Sequence, residues 1–247
     1  MNTYRLKYSG LTDIGMKRTQ NQDHLMCVPE LALFIVADGM GGHKGGETAS
    51  LIAVTAICDY VRERKDVNIA PEELLTKAIQ EANRAIYSHA AKNPELTGMG
   101  TTCTTLFFHK NKLFIGHVGD SRAYMIHPGC IWQLTKDHSL VQEKLRAGMI
   151  TREQLKTDRM KNVITRSVGY ESQIEVDIYE MKVQPGDSFL MCSDGLSGMC
   201  DDPDIMETVS DLLYKQKKVE ETVKTLIAAA NQNGGDDNIT SILINVC

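Results

Sequence analysis

Aspartates border apolar, strand-like segments at several separate places in this sequence. The segment FIVADGMGGHKGGE, residues 34–47, runs from an apolar stretch directly into Asp38 and then into five glycines. Four further aspartates lie at the start or the end of apolar runs in a similar way, namely Asp23, Asp120, Asp194 and Asp237. Side chains at the ends of neighbouring strands can meet at one edge of a sheet. The pattern therefore predicts a cluster of carboxylates drawn from distant parts of the chain.

A carboxylate cluster of this kind favours a bound cation. Two carboxylates about 5 Å apart repel each other by roughly 3 kcal/mol at an effective dielectric constant near 20. Oxygen ligands without a cysteine or histidine companion select hard ions, so Mg²⁺ or Mn²⁺ is expected. Calcium is an alternative, although no segment has the spaced acids and central glycine of a calcium loop. Taken singly, each Asp-Gly pair is more simply a turn.

The glycine-rich segment also has some features of a phosphate-binding loop. Gly41 and Gly46 have the Walker A spacing and Thr48 follows, but Glu47 occupies the position of the lysine that meets the phosphates. The dinucleotide pattern GxGxxG fails because Lys44 stands where its third glycine belongs. Both nucleotide-binding motifs are therefore excluded.

Helices and short strands alternate in blocks around these residues. Helices are predicted over residues 46–64 and 71–92 and in two segments that begin at Pro203 and Val219. Residues 103–134 have the pattern of an antiparallel meander, while EVDIYEMKV and SFLMCS, joined by QPGD, have that of a further strand pair. NITSILINV is predicted as a C-terminal strand. This order predicts an α+β fold with antiparallel sheets covered by helices.

Composition and charge narrow the class of protein. A chain of 247 residues, 42% hydrophobic and without a linker, predicts a single domain over residues 1–247. The net charge of −5 argues against a general nucleic-acid binder. The N-terminus lacks the pattern of a signal peptide, and the longest apolar run, residues 31–37, is too short to cross a bilayer, so a cytoplasmic location is expected. Seven cysteines without a CxxC pair predict reduced, mostly buried thiols.

Eight motifs occur in order along the chain and together indicate a family. They are RTQNQD at 18–23, VADGMGGHKGGE at 36–47, GMGTT at 98–102, VGDSRAY at 118–124, KDHS at 136–139, NVITRSVG at 162–169, CSDGLS at 192–197 and GGDDNIT at 234–240. In this series the chain resembles the metal-dependent protein phosphatases, the type 2C serine/threonine phosphatases, in their bacterial stand-alone form. The resemblance implies a sandwich of two antiparallel β-sheets flanked by α-helices, in α-β-β-α layers, with a metal cluster at one edge.

The resemblance also implies which residues hold the metal ions. Asp38 is similar to the aspartate that bridges two ions, and the Gly39 carbonyl to a further ligand of one of them. Asp194 and Asp237 resemble ligands of the first ion. Asp120, together with Asp194, resembles the site of a third and weaker ion.

Two further residues acquire roles from the same resemblance. Asp23 is similar to an acid that holds metal-bound water, and Arg18 matches the arginine that binds the substrate phosphate. The implied reaction uses a hydroxide shared by two cations, which attacks phosphorus in line. The guanidinium of Arg18 can bind two phosphate oxygens at once, which a lysine would do less specifically.

The source of the proton for the leaving group is left open. Eukaryotic relatives have a histidine directly after the Asp-Gly pair, whereas this chain has Met40. His43 is a candidate general acid, and a metal-bound water is an alternative. His24 and His138 lie beside motifs, but structural hydrogen bonding is the role expected for them.

Residues 139–167 are predicted to form a small helical flap. Ser139 with Gln142, and Thr151 with Gln154, have the spacing of capping boxes for two short helices. The stretch 140–167 has three acids and seven basic residues, a local charge of +4, the basic residues being Lys144, Arg146, Arg152, Lys156, Arg159, Lys161 and Arg166. A mobile flap that docks a phosphoprotein is the preferred interpretation, ahead of a solvated face and of a helix-turn-helix that reads DNA.

Three functions are consistent with these residues. The first is Mg²⁺- or Mn²⁺-dependent hydrolysis of phosphoserine and phosphothreonine in proteins. It would reverse a serine/threonine kinase, with phosphoproteins and that kinase as partners, no nucleic acid, no stable membrane insertion and a monomeric state. The second is a non-catalytic regulator that binds phosphoproteins, which the joint presence of Asp38, Asp194, Asp237 and Arg18 argues against. The third is a phosphatase of small phosphoesters or of an anti-sigma-factor pathway.

Overall fold

The structure is a computed structural model that describes residues 4–155 and 157–247, without the side chains of residues 42–44. Eleven strands lie in the described part of the chain. In chain order they are β1 Leu6–Asp13, β2 Asp23–Val28, β3 Leu33–Met40, β4 Gly100–Thr101, β5 Cys103–His109, β6 Lys112–Val118, β7 Arg122–His127, β8 Cys130–Gln133, β9 Asp177–Lys182, β10 Ser188–Cys192 and β11 Ile239–Val246.

Helices connect and cover these strands. They are α1 Gly42–Glu63, α2 Pro71–Lys92, α3 Leu140–Arg146, α4 Arg152–Leu155, α5 Asp194–Ser197, α6 Asp202–Val209, which continues as a π-helical turn over Ser210–Lys215, and α7 Val219–Gln232. Short 3-10 turns occupy Pro29–Leu31 and Pro94–Leu96. α2 was predicted with these bounds, whereas α1 begins four residues before its predicted start at Gly46. The proline that opens α2 suits a first helical turn, where its missing N–H is not needed.

The strands form two antiparallel sheets. The first sheet has the order β1-β11-β10-β7-β8, and the second has the order β2-β3-β5-β6-β9, with β4 paired to the end of β3. Helices α1 and α2 pack on the second sheet, while α5, α6 and α7 pack on the first. A third core lies between the two sheets, where the rings of Phe34 and Phe189 both meet that of Phe108 edge to face. The predicted α-β-β-α sandwich is confirmed.

Two predicted strand pairings are wrong, because the chain changes sheets at each of them. β5 pairs with β6 in the second sheet and β7 with β8 in the first, so residues 103–134 do not form one meander. The segment 119–121 makes the crossing, and Gly119 there has a φ of 108°. Strands β9 and β10 also lie in different sheets, since β9 pairs with β6 and β10 with β7 and β11. Local alternation of apolar residues does not reveal which sheet a strand joins.

The predicted flap begins as two short helices. Leu140–Arg146 and Arg152–Leu155 are helical, and the N–H of Thr151 donates to Oε1 of Gln154 at 2.8 Å, as a capping box requires. The other predicted capping box is wrong, because Ser139 makes no side-chain bond to its helix and Gln142 donates to Asp137 instead. Lys156 lies outside the described residues.

The expectations about membrane-spanning segments and about cysteines can be compared with the structure. No helix among the described residues is long and apolar enough to cross a membrane. All seven cysteines have free thiols, with Cys130 and Cys247 exposed and the remaining five buried or half-buried. Five of the seven cysteines are thus at least partly buried, as predicted, and their reduced state stays a prediction.

Candidate metal centre

The register of two neighbouring strands places Asp23 opposite Asp38. β2 and β3 are antiparallel, and the two aspartates are direct partners in this ladder. The sequence pattern predicted that β3 ends at Asp38. The strand instead continues through Gly39 and Met40, which pair with β4. Directly opposed residues of antiparallel strands have Cβ atoms about 4.5–5.5 Å apart. Two carboxylates are thus held side by side by backbone pairing alone.

The other three aspartates reach the same place from different elements. Asp120 lies in the segment that crosses between the sheets, Asp194 begins α5 directly after β10, and Asp237 precedes β11. A cavity of about 470 Å³ opens here, and its lining includes Arg18, Asp38, Gly39, Asp120, Asn162, Ile164, Asp194, Asp237 and Asn238. Asp23 is 3% exposed and does not line the cavity, but its charge acts on Asp38, and the charge of Asp194 acts on it. All the predicted aspartates and Arg18 are therefore brought together.

Glycines allow the backbone segments of the site to pack very closely. A Cβ on Gly39 would come within 2.0 Å of the carbonyl oxygen of Gly46 at the start of α1. A Cβ on Gly195 would come equally close, 2.0 Å, to the carbonyl oxygen of Asn238. No side chain fits at such distances. The glycines next to Asp38 and Asp194 thus position both carboxylates by letting a helix approach a strand.

Two threonines, which were not predicted as site residues, hold the backbone of Asp38. The Thr101 hydroxyl donates to the carbonyl oxygen of Asp38 at 2.8 Å, and the Asp38 N–H donates to Oγ1 of Thr102 at 2.9 Å. Thr102 Oγ1 also lies 2.8 Å from Oγ of Ser121, next to Asp120. These buried hydroxyls connect the segments that carry Asp38 and Asp120. Both threonines belong to the GMGTT motif, which could have indicated a role in the site. They were missed because threonines in a strand usually serve only packing.

Burial and mutual repulsion raise the pKa of the carboxyl groups at the centre. Burial raises the pKa of Asp38 well above its usual range, and the charges of Asp23, Asp194, Asp120 and Asp237 raise it further. The pKa of Asp194 is also raised, first by burial and then by the charge of Asp237. Four acids act on the single carboxyl of Asp38. Such convergence is typical of a site that binds positive charge.

The carboxyls of Asp23 and Asp120 show the same effect. Burial is the largest cause that raises the pKa of Asp23 to about 7, and the charge of Asp194 also raises it. Burial, followed by the charges of Asp194 and Asp137, raises the pKa of Asp120 to about 8. Both groups therefore gain protons on folding at neutral pH if no cation compensates their charge.

We expect the stability of the protein in a chelator to fall as the pH rises. The folded-state pKa values of about 7 for Asp23 and about 8 for Asp120 exceed the ordinary value of 3.8. The folded state then binds more protons than the unfolded state between these limits, so the free energy of unfolding decreases with pH. Thermal melts with EDTA should show a melting temperature at least about 5 °C lower at pH 8 than at pH 5.

Saturating Mn²⁺ should remove or reverse this trend, because bound metal requires ionised carboxylates. A melting temperature in EDTA that stays constant or rises with pH would contradict the raised pKa values. The double variant Asp23→Asn, Asp120→Asn is the matched control, and its melting temperature in EDTA should vary less with pH than that of the unmodified protein.

Unpaired oxygens at the site fit divalent cations. Both carboxylate oxygens of Asp23 and one each of Asp120 and Asp194 are buried without a hydrogen-bond partner. Within the described residues, no three acidic, histidine or cysteine side chains form a ready-made ligand set for one ion. Mg²⁺ commonly takes only one or two carboxylates and keeps several waters, and Mn²⁺ has similar oxygen preferences. Shared carboxylates, the Gly39 carbonyl and water are therefore a suitable set of donors.

Arg18 lies at the rim of the cavity and is half exposed. Its Nη2 donates to Oδ2 of Asp237 at 2.6 Å, while the other oxygen of Asp237 accepts the N–H of Asn238 at 2.8 Å. The guanidinium has further N–H groups besides the one bound to Asp237. A positive, multidentate donor thus faces the carboxylate cluster, where it can bind a phosphate placed over the metal ions.

The histidines near the motifs have the structural bonds expected of them. His24 Nδ1 lies 2.9 Å from the hydroxyl of Ser50, and burial lowers the pKa of His24. His138 Nδ1 accepts the N–H of Gly119 at 3.0 Å, and burial lowers its pKa as well. The candidate general acid His43 has its side chain outside the described residues, so its role stays a prediction.

Comparison with known proteins identifies the family. The model of the family described as "Protein phosphatase 2C" matches residues 16–243. A serine/threonine phosphatase stp of Listeria welshimeri is 38% identical over 238 residues, which are 94% of this chain and 93% of that protein. The crystal structure of the Mycobacterium tuberculosis serine/threonine phosphatase PstP/Ppp superposes with a TM-score of 0.89 at 32% identity, covering 97% of this chain and 98% of the other.

A second solved structure bears directly on the metal. The catalytic domain of the serine/threonine protein phosphatase PstP, described as a complex with 2 manganese ions, is 33% identical to this chain. It superposes with a TM-score of 0.87, and the match covers 99% of this chain and 99% of the other. The fold and the acidic site define a metal-dependent protein phosphatase. The chain belongs to the protein phosphatase 2C family, whose cofactor is Mn²⁺ or Mg²⁺.

Proposed function

We propose that this chain removes phosphate from phosphoserine and phosphothreonine in proteins, using residues of one acidic cavity. The observation that carries the proposal is the convergence of separate carboxylates beside an arginine. The ligand set is Asp23, Asp38, the Gly39 carbonyl, Asp120, Asp194 and Asp237. When bound, the ions supply an activated water and neutralise charge on the phosphoryl group.

The residues of the chain itself have three tasks in this proposal. Asp38 places its charge at the middle of the cluster, since it feels the charges of four other aspartates. Arg18 binds the phosphate oxygens and orients phosphorus toward the floor of the cavity. Asn162 and Ile164, from the segment after the flap helices, line the cavity and are proposed to contact the bound substrate.

The flap is proposed as the docking surface for the phosphoprotein. Several flap cations have partners within the molecule: Lys144 pairs with Asp158, and Arg166 with Asp177. Arg159 and Lys161 are exposed and lie close in sequence to Asn162, which lines the cavity. Exposed positive charge near the cavity favours acidic residues next to the phosphorylated one. The proposal also includes a serine/threonine kinase among the substrates. It further includes a single domain over residues 1–247, a monomeric state and a cytoplasmic location.

Hydrolysis of two substrates tests the proposed function. With Mn²⁺, the protein should release phosphate from p-nitrophenyl phosphate and from an acidic phosphothreonine peptide, and EDTA should abolish both activities. The double variant Arg159→Glu, Lys161→Glu should lower kcat/KM for the peptide by about tenfold and change that for p-nitrophenyl phosphate less than about threefold. Arg152→Glu, a change of another exposed flap cation, is the matched control.

Other outcomes would favour the alternatives. Turnover of small phosphoesters without turnover of any phosphopeptide would indicate a phosphatase of small molecules. Binding of phosphopeptides without turnover would indicate a non-catalytic regulator. Activity that persists in EDTA would contradict the metal mechanism.

A further inference from the structure

One buried amide connects two parts of the loop that carries Arg18. Nδ2 of Asn238 donates to the carbonyl oxygen of Ile14 at 3.0 Å and to that of Gln20 at 2.9 Å. Its Oδ1 accepts the N–H of Gln22 at 2.8 Å. Arg18 lies between the two bound carbonyls in sequence, so the amide closes the base of the loop. Asn238 is only 4% exposed and uses both of its amide protons in these bonds.

Asn238 is itself held firmly at the start of β11. Its N–H donates to Oδ1 of Asp237 at 2.8 Å, and its carbonyl oxygen accepts the hydroxyl of Ser193 at 3.3 Å. Gly195 packs against the same carbonyl so closely that a Cβ there would lie 2.0 Å away. The amide therefore projects from a fixed point of the first sheet into the Arg18 loop.

Several other bonds hold the entry of the loop. The N–H groups of Met16 and Lys17 donate to the carbonyl oxygen of Gly235 at 2.8 and 3.2 Å, and the N–H of Gly15 donates to Oδ1 of Asp13 at 2.9 Å. All these donors precede Arg18. Nδ2 of Asn21 also donates to Oγ1 of Thr12 at 2.8 Å, which links the two sides of the loop directly to each other. Asn238 differs because it lies outside the loop and holds residues on both sides of the arginine to the start of β11.

The chemistry of the three bonds requires an amide. An aspartate has the same shape but no N–H groups, and it would bring a negative charge against two carbonyl oxygens. An alanine would leave two carbonyls and one N–H without their present partners, and buried polar groups without partners are costly. Either change would weaken the attachment of the loop base to the first sheet.

We propose that Asn238 is a positioning residue for phosphate recognition, which acts by presenting Arg18 to the substrate. The inference rests on the role proposed above for Arg18. It predicts that loss of the amide affects the same step as loss of the guanidinium. A residue with a merely structural role would lower stability without that coupling.

A double-mutant cycle tests this coupling. The variants are Arg18→Ala, Asn238→Asp and the pair together, with Asn238→Ala as a second removal of the amide in case the aspartate prevents folding. Asn245→Asp is the matched control, because Asn245 lies at the far end of the same strand and donates its amide to Ser188. Kinetics on a phosphothreonine peptide, the inhibition constant of inorganic phosphate and the Mn²⁺ affinity are measured for each protein.

Asn238→Asp is expected to lower kcat/KM by about 30-fold, because misplacement of a positioning group by about 1 Å can cost about 100-fold. The inhibition constant of phosphate should rise, as it should in Arg18→Ala. In the Arg18→Ala background the further loss should be less than about threefold. Mn²⁺ affinity and the kinetics of Asn245→Asp should change less than about threefold.

Two results would overturn the inference alone. The first is that Asn238→Asp lowers kcat/KM by the same factor in the unmodified protein and in the Arg18→Ala variant. The second is that Arg18→Ala weakens inhibition by phosphate, whereas both Asn238 variants leave this inhibition unchanged. If Arg18→Ala itself leaves phosphate inhibition unchanged, the proposed role of Arg18 fails, and the inference fails with it. A large loss of Mn²⁺ affinity in the Asn238 variants would also count against it, since it would place the effect on the metal ligands.

Discussion

Asp38→Asn is expected to lower kcat/KM with Mn²⁺ by about 1,000-fold or more, equivalent to about 4 kcal/mol, and at the same time to raise the melting temperature in EDTA. The activity falls because an amide lacks the charge that a shared metal ligand supplies. The stability rises because the pKa of Asp38 is raised by burial and by four neighbouring aspartates, so its charge is unfavourable without a cation. Initial rates and thermal melts measure the two effects.

Asp187→Asn is the control for this substitution. Asp187 is also an aspartate of the first sheet region, only 1% exposed, but it lies at the opposite end of β10 and β11. This variant should keep kcat/KM within about threefold and should not gain stability in EDTA. If Asp38→Asn retained activity, or if its melting temperature in EDTA fell below that of the unmodified protein, Asp38 would not be the centre of a metal site.

Arg18→Ala is the second substitution with a large expected effect, a loss of about 100- to 1,000-fold in kcat/KM for a phosphothreonine peptide. The guanidinium is the cation at the rim of the cavity, and its Nη2 already bonds to Asp237. Arg18→Lys should recover only part of the loss, because an ammonium group does not bind two phosphate oxygens in the same planar geometry. The inhibition constant of inorganic phosphate should rise in both variants.

Lys17→Ala is the matched control for Arg18. Lys17 is the adjacent cation, 65% exposed, and pairs with Asp236 rather than Asp237. Its loss should change kcat/KM less than about threefold. Equal effects of Lys17→Ala and Arg18→Ala would mean that general positive charge, and not a specific phosphate contact, matters at this rim.

Residues that border strands were the most predictable part of the site. An aspartate next to an apolar run must lie near a sheet edge, because its charge is costly in the core. This physical constraint led from the sequence to Asp23, Asp38, Asp120, Asp194 and Asp237, which the structure brings to one cavity region. The layers followed from the alternation of strand and helix patterns, together with the resemblance to a family.

Sheet membership and hydrogen-bond partners were less predictable. The link 119–121 is short enough for a hairpin, yet it crosses between sheets, and nothing in the alternation of β6 and β7 distinguishes the two outcomes. Thr102 and Asn238 were also missed, since a threonine in a strand and an asparagine after an aspartate are ordinary residues there. Their roles depend on partners many positions away, such as Ser121 for Thr102 and Ile14 for Asn238.

The central claim is that these separate carboxylates jointly bind divalent cations above which Arg18 holds the phosphate. Anomalous diffraction from crystals grown with Mn²⁺ tests it most directly. The account predicts at least two manganese peaks in the cavity, with Asp38 in contact with both and Asp237 in contact with one. Peaks elsewhere on the surface, or none in the cavity at a manganese concentration that supports full activity, would contradict it.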